Sequence, residues 1–135
     1  MAISDGLAKT TDKRDSPVVI FTQSNFDIRF EWGEQGLLHL APISDAVIIV
    51  DIMSFSTCVS MATSVGAEVF PRVYRDESVR FFAESIGAEL AMARGGGLYS
   101  LSPVTMLRLR PGMKLVLPSR NGATLSLLTD GLRAE

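Results

Sequence analysis

Residues 46–57 read AVIIVDIMSFST, and the prediction of the fold starts from this stretch. Its four consecutive apolar residues, Val47 to Val50, are typical of a strand covered on both faces, as in a parallel sheet between two layers of helices. Asp51 then lies at the carboxyl end of that strand. Three hydroxyl side chains come next, before a helical pattern: Ser54, Ser56 and Thr57. One of them is expected to cap the helix, so the stretch places a carboxylate for a cation beside helix N–H groups for an anion.

Signals for strands and helices alternate along the rest of the chain. Strands are predicted at 67–74, where Pro71 favours a position near a sheet edge, at 88–93 and at 113–117. Helices are predicted after the N-cap residues Asp76 and Ser102, and again at 123–131. This alternation predicts an α/β fold, a three-layer α/β/α arrangement with a mainly parallel or mixed sheet.

The residues upstream of this core carry weaker signals. Residues 1–16 are polar and are predicted to form a flexible N-terminal tail, which leaves 17–135 as a single α/β domain. Residues 17–21 are a compact apolar run, and Phe26–Trp32 alternates apolar with charged residues, which is typical of a strand buried on one face. The two glycines of Trp32–Gly36 indicate a loop packed on the core, and a direct ligand contact is the alternative.

Charge and cysteine content exclude several classes of protein. The 135 residues carry a formal net charge of -2 at pH 7, so nothing predicts the positive field that nucleic-acid binding needs, and no nucleic-acid partner is expected. No apolar run approaches the roughly 20 residues that span a bilayer, so no membrane partner is expected either. The one cysteine, Cys58, cannot form an internal disulfide, which agrees with a reducing, cytoplasmic location.

Three polar turns follow predicted strands directly. They are Asp51, the loop of Arg94, Gly95 and Gly96, and the Ser119–Asn121 turn. Because the carboxyl ends of parallel strands meet at one edge of a sheet, these turns are expected to face a common crevice. An arginine beside glycine backbone suits an anion, although a plain flexible turn would have the same sequence. The convergence predicts a site for an anionic substrate, with or without a metal at Asp51.

Five short motifs, in order, resemble those of the 2-phosphosulfolactate phosphatase (ComB-like) family. Residues 32–36 (WGEQG) are similar to its Trp-Gly-x-x-Gly element, and residues 51–57 (DIMSFST) to its Asp-Val-Leu-Arg-Ala-Ser-Thr motif. Residues 93–96 (ARGG) are similar to Glu-Arg-Gly-Gly, residues 101–103 (LSP) to Asn-Ser-Pro, and residues 119–123 (SRNGA) to Thr-Thr-Asn-Gly-Thr. The domain therefore resembles the N-terminal portion of these enzymes.

This resemblance implies an α/β/α fold and Mg²⁺-dependent hydrolysis of the phosphate ester of a small acidic hydroxy acid. In such a reaction Mg²⁺ holds carboxylate and phosphate oxygens, while arginine and helix N–H groups stabilise the transferring phosphoryl group. Asp51 is then the candidate metal ligand and acid–base catalyst, and Arg94 the catalytic phosphate-binding residue. The attacking group stays open between metal-activated water and direct acid–base action by Asp51. The candidates for substrate binding are Ser56, Thr57, Gly95, Gly96, Ser102, Arg120, Asn121 and Gly122.

The chain also departs from the family motifs. Ser54 stands where the family has arginine, Ala93 replaces a glutamate, and Leu101 and Ala123 each replace a polar residue. Family members continue through a second α/β portion after the last motif, and a sheet edge left open without it favours a homodimer. The alternative to a phosphatase is a catalytically inactive descendant that binds a small anion or a protein partner.

Overall fold

The computed structural model describes residues 22–73 and 76–132 of the chain. Within these ranges the elements follow in the order α1 (Gly33–Leu40), a 3-10 helix (Ala41–Ile43), α2 (Phe55–Ser64), β1 (Glu68–Arg72), α3 (Glu77–Ser85), β2 (Glu89–Leu90), α4 (Pro103–Met106), β3 (Lys114–Pro118) and α5 (Gly122–Leu132). The predicted tail at 1–16, the apolar run at 17–21 and the predicted strand end at 74 lie outside the described residues. None of the described helices combines the length and the apolar character needed to cross a membrane.

The three strands form one parallel sheet with the order β1-β3-β2. Val116 of β3 lies between Phe70 of β1 and Leu90 of β2. Strand β1 is at an edge of this sheet, as Pro71 predicts, because a proline has no N–H to donate to a second neighbouring strand. Strand β2 covers only two residues of the predicted strand at 88–93.

Strand β3 is the centre of the core. Its residues from Leu115 to Pro118 are buried, and successive side chains point to opposite faces of the sheet. Leu115 and Leu117 pack with residues of α2, α4 and α5, whereas Val116 packs with residues of α3. Helices therefore cover both faces of the sheet, which confirms the predicted α/β fold.

Helix α3 forms where the sequence predicts it. The carboxylate of Asp76 accepts hydrogen bonds from the backbone N–H groups of Ser78 and Val79, at 3.1 and 3.3 Å. These bonds satisfy two N–H groups that a helix start leaves without an intrahelical partner. The Ser78 hydroxyl donates as well, and this bond is the main cause that holds the pKa of Asp76 below its usual range. Val79 and Ala83 then pack against Val116 on the sheet.

The apolar run Val47–Val50 is not a strand in the structure, so that prediction is wrong. Ile48 and Val50 are exposed, and the run joins neither edge of the sheet. An apolar pattern favours burial, but a strand also needs a neighbour that pairs with its N–H and C=O groups. The described sheet does not supply that neighbour.

The geometry of β1 gives the physical reason. The N–H of Glu68 donates to the carbonyl of Met113, the residue before β3, at 2.8 Å. The carbonyl of Arg72 accepts from the N–H of Ser119, the residue after β3, at 2.8 Å. These backbone groups of β1 therefore face β3. Because backbone groups alternate in direction along a strand, those of residue 71 face the outer edge. Pro71 has no N–H there, so a further strand would lack one of its ladder hydrogen bonds.

The prediction of a half-buried strand at Phe26–Trp32 is also wrong. The alternating apolar residues are exposed, and the backbone of Phe30 pairs with a side chain instead of another strand. The side-chain amide of Gln23 donates to the Phe30 carbonyl at 2.8 Å and accepts from the Phe30 N–H at 3.0 Å. A glutamine amide carries the same donor and acceptor as a peptide group, so it occupies the hydrogen-bonding positions that a neighbouring strand would use.

The predicted loop at Trp32–Gly36 is instead the start of α1. Gly33 has a φ of +65°, which only glycine adopts freely, and it is the first residue of the helix. Gly36 is buried, and a Cβ atom there would overlap the side chain of Glu31. Gly33 allows the chain to enter the helix, and Gly36 allows close packing beside Glu31. Tight turns in loops select glycine as well, so the sequence alone does not distinguish the two.

Candidate functional site

Two loops follow neighbouring strands at the carboxyl edge of the sheet. The glycine loop that contains Arg94 follows β2, and the Ser119–Asn121 turn connects β3 to α5. Because β2 and β3 are parallel neighbours, both loops lie at the same edge. Residues 51–54 contact both loops through side-chain hydrogen bonds. The three segments that the sequence predicts to converge are therefore brought together.

Asp51 connects the segment before α2 to the first residue of α5. Its Oδ2 accepts a hydrogen bond from the Gly122 N–H at 3.2 Å, across 71 residues of sequence. This N–H is one of those that a helix start leaves without an intrahelical partner, and a negative charge there is favoured by the helix dipole. The Asp51 N–H donates to the Ser56 hydroxyl at 2.6 Å, and the Ser56 N–H donates to the Asp51 carbonyl at 3.1 Å. The backbone of Asp51 is thus held in place while its Oδ1 has no hydrogen-bond partner among the described residues.

Ser54 connects the same segment to Arg94. Its buried hydroxyl accepts a hydrogen bond from Arg94 Nη2 at 3.0 Å and donates to the Leu101 carbonyl at 2.5 Å. Ser54 occupies the N-cap position of α2, but its side chain makes no capping bond, so the predicted hydroxyl cap of this helix is wrong. The Ser54 hydroxyl does not cap the helix because it already hydrogen-bonds the Leu101 carbonyl and the Arg94 guanidinium.

Arg94 is itself exposed, with one N–H directed to Ser54. A guanidinium has five N–H donors in a fixed plane, so the bond to Ser54 restricts its orientation and leaves other donors for a ligand. No ion pair joins Arg94 to a carboxylate within the described ranges. Arg94 is thus a positively charged side chain that is oriented by Ser54 at the start of the glycine loop.

Cys58 lies one helical turn after Ser54 and is fully buried. Burial is the main cause that raises the pKa of its thiol. The hydrogen bond with Ser54 and the positive charge of Arg94 act against this rise, whereas the negative charge of Asp51 adds to it. The raised pKa keeps the thiol protonated at neutral pH, which argues against Cys58 as a nucleophile.

The other predicted site residues take more ordinary positions. The Ser56 hydroxyl is occupied by the Asp51 N–H. Gly95 has a φ of +84°, and the Gly96 N–H donates to the Ala93 carbonyl at 2.8 Å, so these glycines form the turn that presents Arg94. The side chains of the remaining candidates make no hydrogen bond with another described residue, and these candidates are Thr57, Ser102, Arg120 and Asn121.

Ser102 corrects one prediction made from sequence. Ser102 stands at the N-cap of α4, yet its side chain makes no capping bond. Its carbonyl accepts from the Thr105 hydroxyl at 2.7 Å, and that hydroxyl also contacts Ser100, so the threonine stabilises this turn. The N–H of Gly122 donates to the carboxylate of Asp51, and the role of Gly122 in substrate binding stays a prediction. Sequence reasoning missed Ser54 as the partner of Arg94, and a buried hydroxyl at that position carries no sequence signal for a partner 40 residues away.

The donor set fits Mg²⁺ only in part. Among residues 22–73 and 76–132, no group of three or more His, Cys, Asp or Glu side chains is placed to hold a metal ion. Mg²⁺ does not need such a cage, since it is often bound by one or two carboxylates together with substrate phosphates and water. Asp51 Oδ1 is the one carboxylate oxygen of this site that suits that arrangement.

Two surface depressions lie away from these residues. One, of about 250 Å³, is lined by Ile49, Ser126, Thr129 and Asp130. Another, of about 120 Å³, is lined by residues of α3 and by Leu90 to Met92. Neither is lined by Asp51, Ser54 or Arg94.

Comparisons with protein-family models, with curated proteins and with solved structures find no match to this chain. The similarity to 2-phosphosulfolactate phosphatases therefore stays a prediction from five motifs. The contacts of Asp51, Ser54 and Arg94 are independent of that prediction.

Proposed function

We propose that this chain is a Mg²⁺-dependent phosphatase of the 2-phosphosulfolactate phosphatase type, which hydrolyses the phosphate ester of a small acidic hydroxy acid. The observation that carries the proposal is the meeting of Asp51 and Arg94 at one sheet edge, through Gly122 and Ser54. A fixed cation and a carboxylate at the start of a helix are the groups that phosphate-ester hydrolysis needs. The reducing cytoplasm is the proposed location.

Arg94 and Asp51 have different roles in the proposed reaction. The exposed N–H groups of Arg94 bind two phosphate oxygens, because a guanidinium matches them in a bidentate way. Asp51 accepts a proton from the attacking water, the new P–O bond forms, and the P–O bond to the hydroxy acid breaks. The released alkoxide takes that proton back from Asp51 and leaves as the alcohol, and inorganic phosphate remains.

Mg²⁺, when bound, supplies charge to the phosphate oxygens and lowers the pKa of a coordinated water. Oδ1 is the Asp51 oxygen that would hold it, since Oδ2 accepts the Gly122 N–H, and the attacking water would then give its proton to the leaving alkoxide and not to Asp51. The described residues offer few further ligands at this site, so we expect metal affinity to be weak without substrate and to rise when a phosphate ester is present.

A second candidate function is binding of a small anion without turnover. The observation that favours it is the single carboxylate of the site, with Ala93 at the position where the family motif has glutamate. In this case Asp51 stabilises the start of α5, and Arg94 alone binds the anion. Both candidates predict anion binding, and only the first predicts release of phosphate.

The test is a phosphate-release assay on a panel of phosphorylated hydroxy acids, with and without Mg²⁺. We expect metal-dependent release that falls by about 10²–10³-fold in Asp51→Asn and Arg94→Ala. The matched controls are Asp27→Asn and Arg80→Ala, which remove the same charges at exposed positions away from the site.

Calorimetry with inorganic phosphate separates the two candidates. No release across the panel, together with phosphate binding that Arg94→Ala weakens and Arg80→Ala does not, would favour the binding protein. If the unaltered chain neither releases nor binds phosphate, the site assignment itself is wrong.

A further inference from the structure

Seven large apolar side chains in the first half of the described chain face solvent in two rows. The aromatic row is Phe26, Ile28, Phe30 and Trp32, with exposed fractions from 64% to 90%. The aliphatic row is Ile48, Val50 and Ile52, with exposed fractions from 66% to 87%. Residues 47, 49 and 51 between them are half-buried, so the aliphatic row lies on the outward side of its segment.

The two rows are large enough for a stable interface. Three aromatic side chains at these exposures offer about 300–500 Å² of surface. Ile28 and the three side chains of the aliphatic row, at roughly 60–120 Å² each when fully exposed, add about 200–400 Å². The sum is comparable with the roughly 800 Å² that each partner contributes to a standard protein–protein interface. Exposed apolar surface on this scale is typical of an interaction site and not of a monomer in water.

The backbone beside the aliphatic row is open as well. Residues 46–50 form no backbone hydrogen bond with any described residue. Exposed, unpaired N–H and C=O groups next to apolar side chains are the features through which one chain adds to another. Residues 46–50 carry no charge, although the exposed residues Asp27 and Glu31 lie between members of the aromatic row, and half-buried Asp51 lies between Val50 and Ile52.

The chemistry of the rows indicates which partner covers them. Aromatic side chains packed across from β-branched ones form favourable cross-chain pairs, and each copy of this chain carries one row of each kind. In a dimer with twofold symmetry, a contact between patch i and patch j occurs twice, with the roles exchanged. Both rows are then covered by a single symmetric assembly.

We propose that a second copy of this chain covers the two rows, so that the aromatic row of each protomer packs on the aliphatic row of its partner. The assembly is a closed twofold dimer. Its test measures association alone, so its failure is distinguishable from failure of the proposed phosphatase activity, although the aliphatic row includes Val50 and Ile52 on either side of Asp51.

The test uses two charge variants and their mixture. Ile28→Glu alters the aromatic row, and Ile48→Lys alters the aliphatic row. Each variant alone places its charge against an apolar row in both contacts of the dimer, so we expect dissociation constants at least about tenfold higher than for the unaltered chain. In an equimolar mixture the heterodimer pairs Glu with Lys in one contact and leaves the other contact intact, so dimers are expected to return.

Two readouts follow the association on the full chain. Sedimentation gives the molar mass between about 1 and 100 µM. Trp32 is the one tryptophan of the chain, so its emission is expected to shift to shorter wavelength as the dimer forms. The control is Phe81→Lys, because Phe81 is also an exposed apolar residue but lies on α3, and this variant is expected to remain a dimer. Circular dichroism establishes that each variant is folded.

Three outcomes would overturn the proposal. The unaltered chain could remain a monomer with solvent-exposed Trp32 emission at all concentrations. Association could continue beyond the dimer, which a closed twofold contact excludes. The mixture of the two variants could stay monomeric, in which case the rows do not pack on each other.

Discussion

Ser54 shows how one side chain can set the geometry of a site without touching a ligand. Its hydroxyl accepts from Arg94 and donates to the Leu101 carbonyl, and it is buried. The family that the sequence resembles has arginine at this position. In this chain the serine accepts a hydrogen bond from Arg94, which is the arginine of the motif similar to Glu-Arg-Gly-Gly, so the further positive charge of the family motif at residue 54 is absent.

We expect Ser54→Ala to lower the free energy of unfolding by about 1–3 kcal/mol, because the Leu101 carbonyl loses its donor in a partly buried position. Freed from Ser54, Arg94 is expected to bind phosphate more weakly. Denaturant unfolding and calorimetry measure the two effects. The matched control is Ser60→Ala, at an exposed position of α2, which should change stability by less than about 0.5 kcal/mol. Equal effects of the two substitutions would contradict the role of Ser54.

Cys58 is expected to resist thiol reagents while the chain is folded. It is fully buried, and burial raises the pKa of its thiol. A raised folded pKa means that the neutral thiol contributes stability below the unfolded pKa of about 8.5, and that this contribution is lost as pH rises through the folded pKa. A colorimetric thiol assay at pH 8 should show little reaction in buffer and complete reaction in denaturant. Rapid reaction of the folded chain would show that this part of the core opens easily.

At the scale of elements, two similar apolar runs have different outcomes. Val47–Val50 and the residues of β3 have the same character in the sequence, yet only β3 is a strand. Strand β3 has β1 on one side and β2 on the other, so its backbone groups are paired along both edges. The hydrophobic pattern of a segment predicts that its side chains tend to be buried. It does not predict whether a neighbouring strand is available to pair with the backbone of that segment. This is why β1, α3, β3 and α5 could be predicted and the run at 47–50 could not.

The start of α5 is tightly packed, and it offers a test at one position. Gly122 is buried, and a Cβ atom there would overlap the ring of Phe55 at the start of α2. We expect Gly122→Ala to destabilise the fold by about 1–3 kcal/mol, since the ring or the helix must move. It should also disturb the hydrogen bond from the Gly122 N–H to Asp51.

The control lies in the same helix. A Cβ atom at Gly131 would meet no atom within 4 Å, so Gly131→Ala should be neutral or stabilise the chain by up to about 1 kcal/mol through helix propensity. Denaturant unfolding of both variants measures the difference. A Gly122→Ala variant as stable as Gly131→Ala would mean that Phe55 does not pack against this helix start.

At the scale of the whole molecule, the candidate site was predictable where topology alone decides it. Parallel strands place their following loops at one edge, so the meeting of the Arg94 loop with the turn before α5 follows from the order of elements. The contact of Asp51 with Gly122 does not depend on a strand at 47–50, because the side chain reaches the helix start directly. What the sequence could not predict is the pairing of Ser54 with Arg94, which depends on the path of two loops that have no periodic pattern.

Hydrogen exchange tests this division of the molecule into a paired sheet and an unpaired apolar segment. Amides at 115–117 are buried and lie between two strands, so we expect them to exchange only through opening close to global unfolding. Amides at 47–50, in a segment of similar apolar character, should exchange near the rate of an unprotected chain in dilute protein, and more slowly once a second copy covers them. The Ile48→Lys variant is the control, since its exchange at 47–50 should stay fast at every concentration. If dilute protein protects 47–50 as strongly as 115–117, the segment is paired within one chain, and neither the open edge nor the dimer contact exists.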